Sequence, residues 1–334
     1  MQRDILRWTF IPVAYIVVIL GTTELLARFL FDFVPFPPLE IRDTKIVPAG
    51  PIFEPDPVLG FALKPGCFTI TLDGKLRFEA IHNQQRLRDQ PVKSPGLPEI
   101  WIFGCSFTYG WGTDAEYAYP NILDSRISDV KVVNFGVPAY GTTQSLLQFR
   151  EALKTRKPPA LVVLGYASFH DQRNTGERAW LRALCSHTMM LGYSLPVARI
   201  SEEEGLIYEY EQIEYKPTPG AAVSSFCGGI EMMRIYYDIK SLESQRVTGM
   251  LLNEFAGEAK TAGAKFLVAG VDDSENTRWA LKEIAKSGME VADISEGMLQ
   301  ETGALLLDGK HPSGIGHRFL ADKIEAILTG YGIH

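Results

Sequence analysis

Five short apolar runs, at residues 99–103, 131–135, 161–166, 265–271 and 290–294, constrain this chain more than any other feature. Most are separated by segments whose apolar residues recur at helical spacing. Alternation of this kind predicts an α/β fold: a three-layer, doubly wound parallel sheet with helices on both faces. Residues 175–230 break the rhythm with Pro196, Glu202, Glu203, Glu204, Pro217, Pro219 and a Gly/Ser-rich stretch at 220–229, and are read as an insertion over the sheet. Pro91, Pro95 and Pro98 mark the start of the alternating domain, which runs over residues 99–334. Before it, residues 61–98 form a lead-in with strand-like pieces at 67–72 and 76–81. Pro37, Pro38, Pro51, Pro55 and Pro57 suggest a stiff, extended stalk over residues 37–60.

Residues 1–36 read as an N-terminal membrane anchor. The chain is uncharged from Trp8 to Thr23, and apolar character resumes after Glu24. A spanning helix of ~20 apolar residues fits if Glu24 and Arg28 form an i, i+4 pair at the far interface. Arg3 and Arg7 precede the run, which places the N-terminus in the cytoplasm and the remainder on the outer side of the inner (cell) membrane, periplasmic or extracellular. A cleaved signal peptide is the competing reading, but no small-residue cleavage site is evident.

With 33 Lys and Arg against 40 Asp and Glu, the formal charge is −7, which argues against a nucleic-acid partner. Cys67, Cys105, Cys185 and Cys227 lie far apart without a C-x-x-C pair, so zinc ribbons and thioredoxin-type motifs are excluded.

Ligands of open parallel sheets bind outside the carboxyl ends of the strands. After the first run comes Gly104-Cys105-Ser106-Phe107-Thr108-Tyr109-Gly110-Trp111-Gly112, a serine in a strand-to-helix turn. This is where an exposed nucleophile and an oxyanion-binding N–H belong; a plain Gly/Ser turn is the alternative. P-loop and dinucleotide patterns do not fit, and Thr108 stands where a nucleophile elbow needs its last glycine. A base and an orienting acid are then required. Of six histidines, His82 and His311 follow a carboxylate by three residues, Glu79 and Asp308. In a strand, Glu79 and His82 would face opposite sides. On the loop Leu307-Asp308-Gly309-Lys310-His311-Pro312-Ser313-Gly314, Asp308 can reach His311 Nδ1 and leave Nε2 for the serine. Capping of the last helix is the competing use of that pair.

The serine block and Asp308-x-x-His311 resemble the first and last blocks of the SGNH (GDSL-like) hydrolase superfamily. Val133-Asn134-Phe135-Gly136-Val137-Pro138-Ala139-Tyr140-Gly141 resembles its second block, and Leu164-Gly165-Tyr166-Ala167-Ser168-Phe169-His170-Asp171 falls where the third should lie. Asp56-Pro57-Val58-Leu59-Gly60 and Asn83-Gln84-Gln85-Arg86-Leu87-Arg88-Asp89 resemble the preface of a membrane-anchored bacterial branch. Cys105 replaces the family's aspartate, Ala139 its oxyanion-hole glycine and His170 its asparagine donor.

The resemblance implies a flavodoxin-like sheet and a serine esterase with Ser106 as nucleophile, His311 as base and Asp308 as orienter. The Ser106 N–H, the Ala139 N–H and a neutral His170 would form the oxyanion hole. A structural histidine is the alternative for His170, and a solvated loop the expectation for Arg173 and Asn174. No cofactor or metal is implied. The implied substrates are O-acyl esters of saccharides or lipids, with cell-envelope or extracellular polysaccharide suggested by the anchor. Acyl transfer to a sugar hydroxyl, lipid acyl hydrolysis and a non-catalytic scaffold that binds glycan or a partner are the alternatives.

Overall fold

The computed structural model describes residues 2–333, with side chains from residue 11 onward. The basic start expected at Arg3 and Arg7 therefore lies outside the described side chains. A helix over Gln2–Leu30 opens the chain, and its Ile11–Leu30 stretch has a mean hydropathy of 1.8. Twenty helical residues cover ~30 Å, the thickness of a bilayer's hydrocarbon core. Arg28 Nε donates to Glu24 Oε1 at 2.8 Å, the i, i+4 pair expected from the sequence.

Five strands precede the main sheet. β1 (Thr44–Val47) pairs antiparallel with β4 (Gly66–Leu72), which pairs with β5 (Leu76–His82). β2 (Phe53–Asp56) and β3 (Gly60–Leu63) form a hairpin. Its turn is the Asp-Pro-Val-Leu-Gly motif: Asp56 Oδ1 accepts from Val58 N and Leu59 N, and Gly60 takes φ +77°. The extended stalk expected over 37–60 is thus corrected. Ile52 and Phe53 are buried in a core shared with Phe61, Phe78 and Tyr140. Pro55 is compatible with a strand there because β2 is an edge that pairs on one side only.

The central sheet comprises β6 (Glu99–Gly104), β7 (Lys131–Asn134), β8 (Leu161–Tyr166), β11 (Lys265–Gly270) and β12 (Val291–Asp293), in the order β12-β11-β8-β6-β7. All pairs are parallel. Each strand lies within a residue or two of an expected run, and the order is that of a doubly wound, flavodoxin-like sheet. Alternate residues serve opposite faces. Ile100, Ile102, Leu161 and Val163 pack with the helices Tyr119–Arg126 and Gly314–Gly330. Trp101, Phe103, Val162 and Leu164 pack with Thr142–Leu153, Ser244–Thr261 and Glu275–Ala285.

The expected insertion contains a helix, Arg178–Cys185, and an antiparallel hairpin of β9 (Ser194–Ser201) and β10 (Gly205–Gln212). A further helix, Ser225–Ser241, begins inside the Gly/Ser-rich stretch, with Ser224 Oγ accepting from Cys227 N as its cap. All four cysteines are free thiols.

Candidate functional site

β6 ends at Gly104, where a Cβ would collide with Thr108 Oγ1 and lie 2.9 Å from the Gly165 carbonyl. The close approach lets the chain turn at once into the single helical turn Ser106–Tyr109, closed by Gly110 at φ 82°. Ser106 thus stands at the carboxyl edge of the sheet between β6 and its neighbours β7 and β8, where the strand order reverses. Asn134, at the end of β7, ties the turn down. Its Nδ2 donates to Thr108 O at 3.1 Å and its Oδ1 accepts from Gly136 N at 2.9 Å.

A buried arginine holds the turn from behind. Arg88 donates to the carbonyls of Tyr109, Gly110, Thr113 and Glu79, and its guanidinium lies 4.4 Å from the Tyr109 ring centroid. Burial pushes its pKa down from the usual arginine value. His82, buried as β5 turns Glu79 outward, bonds Lys64 O at 2.9 Å and Tyr109 OH at 2.8 Å. The Glu79/His82 pair is therefore a packing element, as the strand alternation indicates.

The loop before the last helix carries the other half of the site. Leu306 N donates to His311 O and Gly309 N to Leu306 O, folding residues 306–311 into a tight reversal. Asp308 Oδ1 accepts from the Lys310 and His311 N–H groups at 2.9 and 3.0 Å. Its Oδ2 lies 2.6 Å from His311 Nδ1, and His311 Nε2 lies 3.0 Å from Ser106 Oγ. Partial burial alone would raise the Asp308 pKa, but these hydrogen bonds and the His311 charge outweigh it and hold the carboxyl at about 2. Asp308 is thus ionised at neutral pH and keeps the proton on His311 Nδ1. The capping alternative fails because Ser313 caps the last helix, its Oγ accepting from Ile315 N and Gly316 N.

Ser106, His311, Asp308 and Ala139 meet on the wall of one cavity of about 520 Å³. Among the described residues, neither the Ser106 nor the Ala139 N–H has an acceptor, which leaves both for an oxyanion. Ala139 sits at φ 74°, a conformation that costs an L-residue ~1 kcal/mol and explains why a glycine suits this position. Ala139→Gly should keep full turnover and raise stability by up to ~1 kcal/mol; a lower melting temperature would refute the reading of strain.

His170 is a correction. Its ring is fully buried, does not line the cavity, and packs edge-on against Tyr166 and Phe169 at 5.6 and 5.4 Å. His170 stands at the start of the helix His170–Asn174, and neither ring nitrogen has a hydrogen-bond partner among the described residues. Burial, with the Arg173 charge adding to it, holds its pKa well below the ordinary histidine range. His170→Ala should cost ~2–4 kcal/mol of stability, as other large-to-small core changes do, with near-normal rate per active site. A folded His170→Ala protein slowed by two orders of magnitude would restore the oxyanion role.

Arg173 and Asn174 are corrections of the opposite kind, since neither is solvated. Asn174 is buried, accepts from Thr143 N at 3.0 Å and donates to Thr248 Oγ1 at 2.8 Å. Arg173 lines the cavity beside Ala139. Its guanidinium is clasped between the Phe169 and Trp180 rings, each at 4.3 Å, and donates to Tyr140 O at 2.9 Å. Sequence reasoning missed this buried cation, although its position just past the carboxyl end of β8 was a signal.

The cavity is roofed by parts outside the strand–helix alternation. Thr44 comes from β1, Leu72 and Leu76 from the lead-in, and Trp180, His187 and Met190 from the insertion. Burial, reinforced by Arg42 and His311, lowers the His187 pKa to about 4. Burial likewise holds His82 at about 4 and His317 at about 3. A histidine buried neutral takes up its proton only on unfolding. Stability contributed by these groups is therefore complete above ~6.5, the unfolded value, and is lost as pH falls from there to about 4 for His82 and His187 and to about 3 for His317. Melting temperature should drop steadily over that window; a flat profile from pH 7 to 4.5 would contradict the burial of these rings. Among the described residues, no cluster of His, Cys, Asp and Glu is arranged to hold a metal.

No family model and no curated protein matches the chain. Among solved structures it is similar to TesA, with 16% identity over 69% of this chain and 98% of that one, at a TM-score of 0.43. A member of the lipolytic protein G-D-S-L family from Veillonella parvula DSM 2008 matches at 13% identity over 69% and 98% of the two chains, TM-score 0.40. A GDSL-like lipase from Bacteroides thetaiotaomicron VPI-5482 matches at 15% identity over 73% and 92%, TM-score 0.39.

Proposed function

We propose that this protein is a serine ester hydrolase of the SGNH type, tethered to a membrane by its N-terminal helix. The observation that carries the reading is the unbroken relay from Ser106 Oγ through His311 to Asp308. Ser106 attacks an ester carbonyl while His311 Nε2 takes its proton. The tetrahedral oxygen gathers negative charge at the Ser106 and Ala139 N–H groups, with the Arg173 cation on the same wall. His311 then protonates the departing alkoxide, leaving an acyl group on Ser106; water, deprotonated by the same histidine, attacks that acyl carbonyl, and the acid leaves as Ser106 Oγ takes the proton back. Nothing in this sequence of steps requires a cofactor.

The substrates we favour are O-acyl esters of cell-envelope or extracellular saccharide. The cavity's mixed lining supports this, with Trp111 and Trp180 among its apolar residues and Arg42, Asp43 and Lys310 among its polar ones. Transfer of the acyl group to a sugar hydroxyl is a second reading, favoured by the roof over Ser106, which is only 7% exposed. Water competes poorly at a covered acyl-enzyme. Incubation with an acetylated oligosaccharide, with and without a non-acetylated acceptor, tests both. Release of free acetate alone supports hydrolysis, acetylated acceptor supports transfer, and no change in any acyl ester rejects both.

The anchor is tested by membrane extraction. A retained span requires the full-length protein to resist alkaline carbonate and keep its N-terminal residues. A mature chain beginning between residues 24 and 40 would show cleavage instead.

A further inference from the structure

The helix Ser225–Ser241 is amphipathic the wrong way round for a helix on a water-facing surface. Its inward side carries acids. Glu231, fully buried, accepts from Arg178, Tyr215 and Thr218, and Asp238 Oδ2 accepts from Arg178 N. Its outward side carries Phe226, Ile230, Met233 and Tyr237 at i, i+4, i+7 and i+11, one continuous stripe. Met232, Tyr236 and Ile239 flank it; Ile230 is half-buried, while Phe226, Met232, Met233, Tyr236 and Tyr237 are 44–68% exposed. A patch of this kind on a folded domain marks a surface that something covers.

What covers it follows from where the helix is attached. Glu24, within the apolar N-terminal helix, accepts from Ser224 Oγ at 2.7 Å, Ser225 N at 2.8 Å and Phe226 N at 3.2 Å, so it binds the start of this helix directly. Immediately beyond, Gly228 and Gly229 lie against the chain leaving the N-terminal helix. A Cβ on Gly228 would collide with the Val34 carbonyl oxygen, and one on Gly229 with the Phe33 ring. Phe36 N also donates to Ala221 O. The helix is therefore fixed beside the last turns of the apolar helix, whose Phe29 and Leu30, with Phe31 just beyond, are themselves exposed.

We propose that the outward face of helix 225–241 is a membrane-docking surface, its Phe226, Ile230, Met233 and Tyr237 lying at the headgroup–acyl boundary of the bilayer that the N-terminal helix crosses. The proposal rests on the reading of that helix as a retained span. A helix with one apolar face lies in the interface plane, and tyrosines such as Tyr236 and Tyr237 favour the headgroup level. Lys240, exposed at the end of the helix, can reach lipid phosphates, whereas Arg234 donates to Thr218 Oγ1 at 3.3 Å. Arg178 joins this helix to the helix Arg178–Cys185, which supplies Trp180 and Leu184 to the cavity wall. The docked helix thus holds the candidate active site close to the membrane, in reach of esters attached at or near its surface, in place of a domain swinging on a tether.

The test uses the full chain in nanodiscs of phosphatidylethanolamine and phosphatidylglycerol. Single nitroxides are attached through Met233→Cys, Tyr237→Cys, Val17→Cys or Val92→Cys, with Cys67→Ser and Cys227→Ser to remove the accessible thiols. Collision rates with oxygen, which concentrates in lipid, and with a water-soluble nickel chelate report depth. Val92, 99% exposed in the lead-in, sets the aqueous reference. Labels at 233 and 237 should show several-fold lower nickel access than Val92 together with higher oxygen access. Water-like values at 233 and 237 with a lipid-like Val17 would overturn the docking surface and leave the anchor intact. A water-like Val17 would overturn the anchor itself, and the docking surface with it. Loss of access to both reagents at 233 and 237 would indicate a protein cover, such as a second copy, and would equally overturn the proposal.

Discussion

Ser106→Ala and His311→Ala should each lower ester turnover by roughly 10³-fold or more, while the double variant should lose little beyond either one, because nucleophile and base act as a unit. The 3.0 Å contact between Ser106 Oγ and His311 Nε2 makes the losses interdependent, since the serine is activated only through that nitrogen. Asp308→Asn should cost less than either substitution. The base survives, but the carboxylate that fixes its tautomer through Nδ1 at 2.6 Å is gone. Steady-state rates on a chromogenic acetate ester, normalised to folded protein by circular dichroism, provide the check. Multiplicative losses would contradict a shared relay.

Arg88→Met should be the most destabilising single change outside the hydrophobic core, and it should act on the same turn. Methionine approximates the length of the side chain but leaves the carbonyls of Tyr109, Gly110, Thr113 and Glu79 without their donor. A buried acceptor stripped of its partner costs ~1–3 kcal/mol. Even with partial relaxation the total loss should be at least ~3 kcal/mol, a fall of roughly 6–12 °C in melting temperature for a domain of this size. Because three of these carbonyls, those of Tyr109, Gly110 and Thr113, belong to the chain leaving the nucleophile turn, the protein that remains folded should also lose turnover. Arg88→Lys should recover only part of the stability, since one ammonium cannot span four carbonyls. A change of less than ~1 kcal/mol for Arg88→Met would mean that the turn is held by other contacts.

Strands buried on both faces were legible because each is a short, nearly continuous apolar run, and β8 at 161–166 coincides with its run residue for residue. Asp308 and His311 were legible because their interaction is local: a three-residue separation on a loop suffices to bring carboxylate and imidazole together. The pairing of β1 and β2 was hidden. Prolines at 51, 55 and 57 read as stiffness, whereas β1 is held by distant partners such as Thr69 and β2 by the returning strand of its own hairpin at Ala62. Arg173 was hidden for a related reason. Its burial depends on Trp180 in the insertion and on the Tyr140 carbonyl, and neither proximity is written in local sequence. His170 was read as an oxyanion donor from its place in the loop, which does not reveal that its ring is fully buried and absent from the cavity wall.

The most direct test of a serine nucleophile driven by His311 is stoichiometric labelling with a fluorophosphonate, read by intact mass and peptide mapping. One adduct per chain on the Ser106 peptide is expected, absent in Ser106→Ala and slowed by at least ~10²-fold in His311→Ala. Ester turnover with no adduct at Ser106, or an adduct that forms equally fast without His311, would contradict it.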